Sequence, residues 1–414
     1  MLNLFRPSPH IIVGLEVGTS KVVAVVGELN AQGALSITGV GQSRSRGVRK
    51  GEIVDPTAAA EDIRAAIVAA EKLADAEVRA VYLGVTGSHL RGFNNRGHHP
   101  IPSVDREITA DDVQDVVNIA KTVNLPAENH VIHVVRQHFI VDGQTGIQNP
   151  VGMVGAQLQV DVHITHGVRN RLQNAVRTVR TLQLEVEDIV FNGVASSLAV
   201  LETQDKELGT LVIDLGAGTT EYVVYADGII KHTGVLAVGG DHVTNDLAYG
   251  LKVSMSRAEA LKVEHGSAVV DPAGRGRMLS LASDRGLPER SVNLEHLHRI
   301  MSLRLEEIFE IIAEELAQAG LLDYLRNGVV LCGGGAHIPG IERLAGRVFD
   351  LPVSVGRTKA ISGLASTLDQ PEFATAIGLV KYGSFQAASG RKRAPWFDRV
   401  KASLSQILSS LLAF

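Results

Sequence analysis

A strand, a glycine turn and a second strand occur twice in this chain, and that repetition constrains the fold more than any other feature. The first copy runs from the apolar stretch Ile11 to Val17, through Gly18-Thr19-Ser20, into Lys21 to Gly27. The second runs from Gly209 through Asp214-Leu-Gly216-Ala-Gly218-Thr219-Thr220 into Glu221 to Tyr225. Each is followed by a turn signal, Asn30-Ala-Gln-Gly33 or Ala226-Asp227-Gly228, and a third strand-like run. Glu16 matches Asp214, an offset of 198 residues (214 − 16). The Gly-Thr pair at 18–19 is then expected to match Gly218-Thr219, with an insertion in the second loop. A chain of 414 residues has room for two to three domains of roughly 150 residues. A repeat of half a protein points to two similar α/β domains facing each other.

The remaining segments fit around that pair. Asp55-Pro56-Thr57 reads as a helix start, with a cap and a proline at the first position, and an Ala-rich helix runs to about Ala76. Residues 84–165 change texture, with Gly, Asn and His clusters, a helix capped near Thr109 and a strand from His130 to Val141. They read as an inserted small α+β module. An amphipathic helix returns from Gly167, carrying Val168, Leu172, Val176, Val179 and Leu182 on one face. A long helix is expected from about Val292 to Ala319, and residues 383–395 read as a flexible linker.

Three glycine loops, each ending an apolar strand, carry the chemical signal. The third is Gly333-Gly334-Gly335 after Val329 to Cys332. Glycine lets backbone N–H groups turn toward phosphate oxygens, and Thr19, Ser20, Thr219 and Thr220 can add hydroxyl donors. Glu16 and Asp214 are placed to hold a hydrated Mg²⁺, which prefers oxygen ligands and keeps its waters. The third loop would let an adenosine lie against the backbone. No Gly-x4-Gly-Lys-Ser/Thr occurs, and Ile338 stands where a dinucleotide fingerprint needs glycine. A net charge of −5 lacks the basic footprint of a nucleic-acid binder. The single cysteine, Cys332, excludes a disulfide framework. His130, His133 and His138, and His163 and His166, alternate along strand-like stretches and do not read as metal ligands.

These motifs resemble the actin-like ATPase superfamily and, within it, the FtsA family of bacterial cell-division proteins. The carriers are Gly14-Leu-Glu-Val-Gly-Thr-Ser-Lys21-Val, Val212-Ile-Asp-Leu-Gly-Ala-Gly-Thr-Thr220, Val329-Val-Leu-Cys-Gly-Gly-Gly335-Ala and Ser256-Arg-Ala-Glu259-Ala-Leu-Lys262. The resemblance implies ATP with Mg²⁺ as cofactors, Lys21 near the phosphates, Gly239-Gly240 lining the cleft, and Glu259 and Lys262 beside the adenosine. Ser256-x-x-Glu259 is also a capping-box pattern, which gives Glu259 a purely structural alternative. Hydrolysing relatives place Glu or Gln where Asn192 stands. Slow or negligible turnover is therefore expected.

The resemblance also implies an α/β, two-lobed actin-like architecture. Residues 1–83 and 166–195, with 371–383, form lobe one; 84–165 is inserted in it; 196–240 and 321–370 form lobe two, with 241–320 as its smaller subdomain. The implied role is an adaptor tethering FtsZ polymers to the cytoplasmic face of the inner membrane at midcell, recruiting later division proteins and self-associating into filaments. The FtsZ C-terminal peptide would meet Arg290 and Arg304. The alternatives are a filament of the MreB type, a pilus-assembly relative, or a kinase or phosphatase of the superfamily.

The C-terminal stretch adds a second signal. At 100° per residue, Trp396, Phe397, Val400, Leu404, Ile407, Leu408, Leu411, Leu412 and Phe414 fall on one face. Residues 391–414 carry five Lys/Arg against Asp398, net +4, which leaves −9 on the rest of the chain (−5 − 4). An amphipathic helix at 396–414, after a linker at 384–395, is expected to lie in the interface of an anionic membrane. No run of 18 apolar residues offers a transmembrane helix, and no signal peptide precedes Pro7.

Overall fold

The computed structural model describes residues 10–30, 32–103, 105–270, 276–281, 290–358, 362–363 and 368–388. The chain opens with β1 (His10–Val17), β2 (Lys21–Leu29) and β3 (Leu35–Arg44), then the small hairpin β4 (Val48–Arg49) and β5 (Glu52–Ile53). Helix α1 (Pro56–Ala74) follows, and β6 (Ala80–Val85). The insert holds β7 (Arg91–Pro100), α2 (Ala110–Lys121), β8 (Asn129–Val141), β9 (Gln144–Ile147) and β10 (Gln157–Val168). The chain returns through α3 (Arg169–Arg180), β11 (Glu185–Phe191), α4 (Asn192–Val200) and α5 (Thr203–Leu208). The second half has β12 (Thr210–Leu215), β13 (Thr220–Ala226), β14 (Ile229–Leu236), α6 (Gly240–Leu251), α7 (Met255–His265), β15 (Met278–Leu281), β16 (Arg290–Asn293) and α8 (Leu294–Gln318). It closes with β17 (Val329–Cys332), α9 (Ile341–Phe349), β18 (Val353–Val355), β19 (Ser362–Gly363) and α10 (Ala374–Ala388).

Local chemistry accounts for the helix starts. The Asp55 carboxylate accepts from the N–H groups of Thr57 and Ala58, with Pro56 as the first helical residue, and α1 buries Ile63, Ala66, Ile67 and Ala70. Thr109 and Asp112 close a reciprocal capping box on α2. Asn293 caps α8, whose Leu297, Met301, Leu305, Ile308, Ile312 and Leu316 form one buried stripe.

The duplication is visible as two sheets. One has the order β11-β6-β1-β2-β3-β19, the other β14-β13-β12-β17-β18. Each joins three antiparallel strands to parallel neighbours. The insert forms its own sheet, β7-β10-β8-β9, around Ile108, Val116, Phe139, Leu158 and Val162. Separate cores fill the lobes, one around Val23, Ile63 and Phe191, the other around Ile213, Tyr222 and Phe309.

Four expectations change. Val17 pairs with Val22 and Leu215 with Thr220, so the turns span 18–21 and 216–219 and have equal length. The same bond closes both, Gly18 N–H to Lys21 O and Gly216 N–H to Thr219 O, each 3.0 Å. There is no extra residue; Ser20 matches Gly218 and Lys21 matches Thr219. Strand β10 runs through Gly167 to Val168, so α3 starts at Arg169 and Val168 is not in the helix. Ser254, not Ser256, caps α7, accepting from the Arg257 N–H at 3.3 Å. Helix α10 runs to Ala388, past the linker boundary expected at 383. Residues 389–414, with the rest of the linker and the amphipathic stretch, lie outside the described residues. No described helix is long and apolar enough to cross a membrane.

Candidate functional site

The two equivalent turns meet between the lobes. The Thr19 hydroxyl accepts from the Gly51 N–H at 3.0 Å, and a Cβ on Gly218 would lie 2.4 Å from that same oxygen. Only glycine lets the loops approach this closely. Gly240 and Asp241 donate backbone N–H groups to Gly216 O and Ala217 O at 2.9 and 2.8 Å, which seats the start of α6 on the second loop. At the end of β17, Gly333 has φ 80°, and a Cβ there would lie 2.4 Å from Asp214 Oδ1.

These loops enclose a cavity of ≈ 360 Å³. Glu16, Gly18, Thr19, Ser20 and Lys21 line it from the first copy. Asp214, Gly216, Gly218 and Thr219 line it from the second, and Gly333, Gly334 and Gly335 from the third loop. Gly240, Glu259 and Lys262 complete the wall. Two expected residues stand behind the lining. The Thr220 hydroxyl is spent on Val238 O at 2.8 Å, because Thr220 is the first buried residue of β13. Gly239 packs against Gly216 O and Ala217 O, and supports the wall.

Glu259 belongs to the wall and not to a capping box. It pairs with Lys262 Nζ at 2.7 Å and accepts from the Thr244 hydroxyl, while Lys262 also donates to Gly240 O at 3.1 Å. Val263, Ile338 and Pro339 add apolar surface at that end.

At the end of the cavity beside the two turns, a cluster of acids faces Lys21. Burial pushes Glu16 up from 4.5 to about 7; Lys21 opposes the shift and Asp214 adds to it. Burial also raises Asp214, which accepts from the Thr375 hydroxyl at 2.7 Å. Burial lowers Lys21, whose ammonium lies 4.6 Å from the centre of the Phe373 ring. Glu16 Oε2 is buried without a hydrogen-bond partner. An orphaned carboxylate oxygen beside a second acid fits a hydrated Mg²⁺. Among the described residues no group of three His, Cys, Asp or Glu converges as a metal site.

Sequence reasoning missed Glu221 and Thr86. Glu221 lies in the wholly buried strand β13, directly opposite Asp214, and burial and Asp214 raise it to about 8. The Thr86 hydroxyl, just past β6, donates to it across the cleft. An acid within an otherwise apolar strand was the available signal. Asn192 opens α4, is 5% exposed, lines the cavity, and holds its Oδ1 buried without a partner.

The other expected sites fall elsewhere. Arg304 is paired within the chain, to Asp246 at 2.6 Å and to Glu307. Arg290 is the first residue of β16. Trp396, Phe397, Val400, Leu404, Ile407, Leu408, Leu411, Leu412 and Phe414 lie outside the described residues.

Two lobes on one hairpin plan, with three glycine loops around an acidic cleft, define the actin-like ATPase fold. The PilM-PilN type IV pilus biogenesis complex superimposes with a TM-score of 0.64, at 16% identity over 90% of this chain and 98% of that one. MreB5 of Spiroplasma citri bound to ADP does so with a TM-score of 0.54, at 16% identity over 92% and 99%. Residues 211–378 match the family described as cell division protein FtsA, and 87–166 the SHS2 domain inserted in FtsA. Cell division protein FtsA of Escherichia coli K12 is 37% identical over 97% of this chain and 96% of the relative. That of Pseudomonas aeruginosa is 35% identical over 92% and 91%. The chain belongs to the FtsA family of cell-division proteins.

Proposed function

We propose that this division protein binds Mg²⁺·ATP in its cleft and works as an adaptor between FtsZ polymers and the inner membrane. The carrying observation is the acid-and-lysine cluster, in which half-buried Glu16 and Lys21 converge with buried Asp214 beside three glycine loops. Lys21 and the N–H groups of both turns would hold the phosphates; the third loop, with Glu259 and Lys262, would hold the adenosine. A bound Mg²⁺ would offset the phosphate charge, with Glu16 and Asp214 holding its waters. MreB5 of Spiroplasma citri, of the same fold, has been solved bound to ADP and to AMPPNP. Asn192 offers an amide where water must be oriented, so turnover is slow.

The outward functions follow from the remaining surfaces. The FtsZ C-terminal peptide would dock on 241–320 near Arg290 and Arg304, where its acidic groups would compete with Asp246 and Glu307 for the Arg304 guanidinium. The stretch 396–414 would lie in the cytoplasmic leaflet at midcell, held by its apolar face and by anionic lipid. Later division proteins would bind the insert, and filaments would form by self-association, as in other actin-like proteins. The decisive experiment is equilibrium binding of a fluorescent ATP analogue with and without Mg²⁺. Wild type should bind, and Lys21→Ala should bind at least about tenfold more weakly, since a charge-assisted contact contributes about 1.5–3 kcal/mol. Equal affinity in the two proteins removes the cleft assignment.

A further inference from the structure

The insert touches the nucleotide cleft at its root and grips the opposite lobe at its face. At the root, Thr86, just before the matched segment 87–166, donates to Glu221 on lobe two. On β8, His133 Nε2 accepts the N–H of Phe191 at 3.0 Å, and the next residue is Asn192 in the cavity wall.

The face of the insert covers β14, the outermost strand of the lobe-two sheet. Asn94 Nδ2 donates to Lys231 O at 2.9 Å, which turns its Oδ1 toward His163 Nδ1 at 2.8 Å. His163 Nδ1 must then carry the proton, and Nε2 accepts from the Thr233 hydroxyl at 2.8 Å. Gln137 Nε2 spans Ile230 O at 2.7 Å and Asn94 Oδ1 at 3.1 Å. His163 is 1% exposed, and Gly92 leaves the space that Thr233 occupies. With a neutral imidazole, each of these donors meets an acceptor. A buried network of this kind is favourable when complete and costly when one member is lost, so the seam opens as a unit.

Strand β14 carries the seam to the cleft. Its far end runs into Val238, whose carbonyl accepts the Thr220 hydroxyl, and into Gly240, which donates to Gly216 O of the phosphate loop. We propose that the insert is a strap across the cleft: its docking on β14 and closure of the lobes on nucleotide are one coupled equilibrium. Nucleotide tightens the strap, and a partner that pulls the insert off β14 weakens nucleotide binding by the same factor, because such coupling is reciprocal; affinity changes of this kind fall mostly on dissociation, so release quickens. This rests on the nucleotide-binding reading above.

The test is dissociation of a prebound fluorescent ATP analogue from the full chain, chased with excess unlabelled ATP. Thr233→Val and Gln137→Leu remove seam groups that do not line the cavity. Each should weaken affinity roughly five- to tenfold, within the ordinary range of such couplings, and raise the release rate by about the same factor. Arg136→Ala, at an exposed β8 position beside Gln148 O, should leave it unchanged. Release within twofold of wild type in both seam variants overturns the strap. Hydrogen exchange on the wild-type chain provides the check that needs no variant: Mg²⁺·ATP should slow exchange at 91–95 and 229–236, and unchanged exchange there also overturns it. A wild-type chain that binds no nucleotide removes the cleft reading and the strap together; binding with unaltered release in the variants removes the strap alone.

Discussion

Glu16→Gln should make the ligand-free protein more stable in alkali while weakening its nucleotide binding. In the folded chain the Glu16 carboxyl keeps its proton up to about 7, whereas its ordinary value is 4.5. Between those values the folded state binds more protons than the unfolded one, so stability falls as pH rises from 4.5, and the loss is complete above about 7. At 1.36 kcal/mol per pH unit of difference, that loss is about 3 kcal/mol. Glutamine cannot ionise and escapes it, but its amide needs a partner and Lys21 loses an opposing charge; together these return about 1 kcal/mol. The variant should therefore be about 2 kcal/mol more stable than wild type at pH 8.5 and equal or slightly weaker at pH 5. Urea unfolding at the two pH values, without nucleotide or Mg²⁺, measures the difference directly. Parallel pH profiles in the two proteins would refute the assignment of a buried, destabilising carboxylate. The companion measurement is affinity for Mg²⁺·ATP, which should fall in the variant if Glu16 holds the metal's water.

Gly333→Ala should cost about 2–4 kcal/mol in urea unfolding, since it adds left-handed backbone strain and a methyl 2.4 Å from Asp214 Oδ1. Gly334→Ala, with nothing within 4 Å of the added atom, should be close to neutral, and equal losses at the two positions would contradict the described loop. Arg304→Gln should abolish FtsZ-peptide binding with folding retained, and unchanged affinity would sink that assignment. Ending the chain at Gly390 should abolish flotation with anionic liposomes, and equal flotation of both lengths would remove the membrane role of 396–414.

Much of the lobe architecture was legible because it rests on local signals. Asp55 before Pro56, Thr109 before Asp112, and the α8 stripe are short-range patterns whose outcome depends on near neighbours. What failed depended on backbone details or on distant pairing. Ser254 and Ser256 are chemically equal candidates for the α7 cap; only the extended backbone at Ser254, φ −65° and ψ 155°, selects it. Glu221 faces the cleft only because register sets it across from Asp214, and register is a property of two strands together. Thr86 acquires meaning only when a residue 135 positions away meets it.

The corrected turn alignment changes how the duplication relates to the chemistry. Matching the Gly-Thr pairs put like residues together and implied that both copies do the same job. Equal turn lengths instead set Lys21 against Thr219 and Val23 against Glu221. At each of these paired places one copy carries a charge and the other does not. The first turn contributes the lysine, Lys21, and the second hairpin contributes the additional acid opposite Asp214. Shared geometry brings the two turns within contact of each other at Thr19 and Gly218. Divergence at matched positions sets a lysine from one copy and an additional acid from the other beside the matched pair Glu16 and Asp214. The asymmetry between the copies, more than their likeness, gives the cavity its mixed charge.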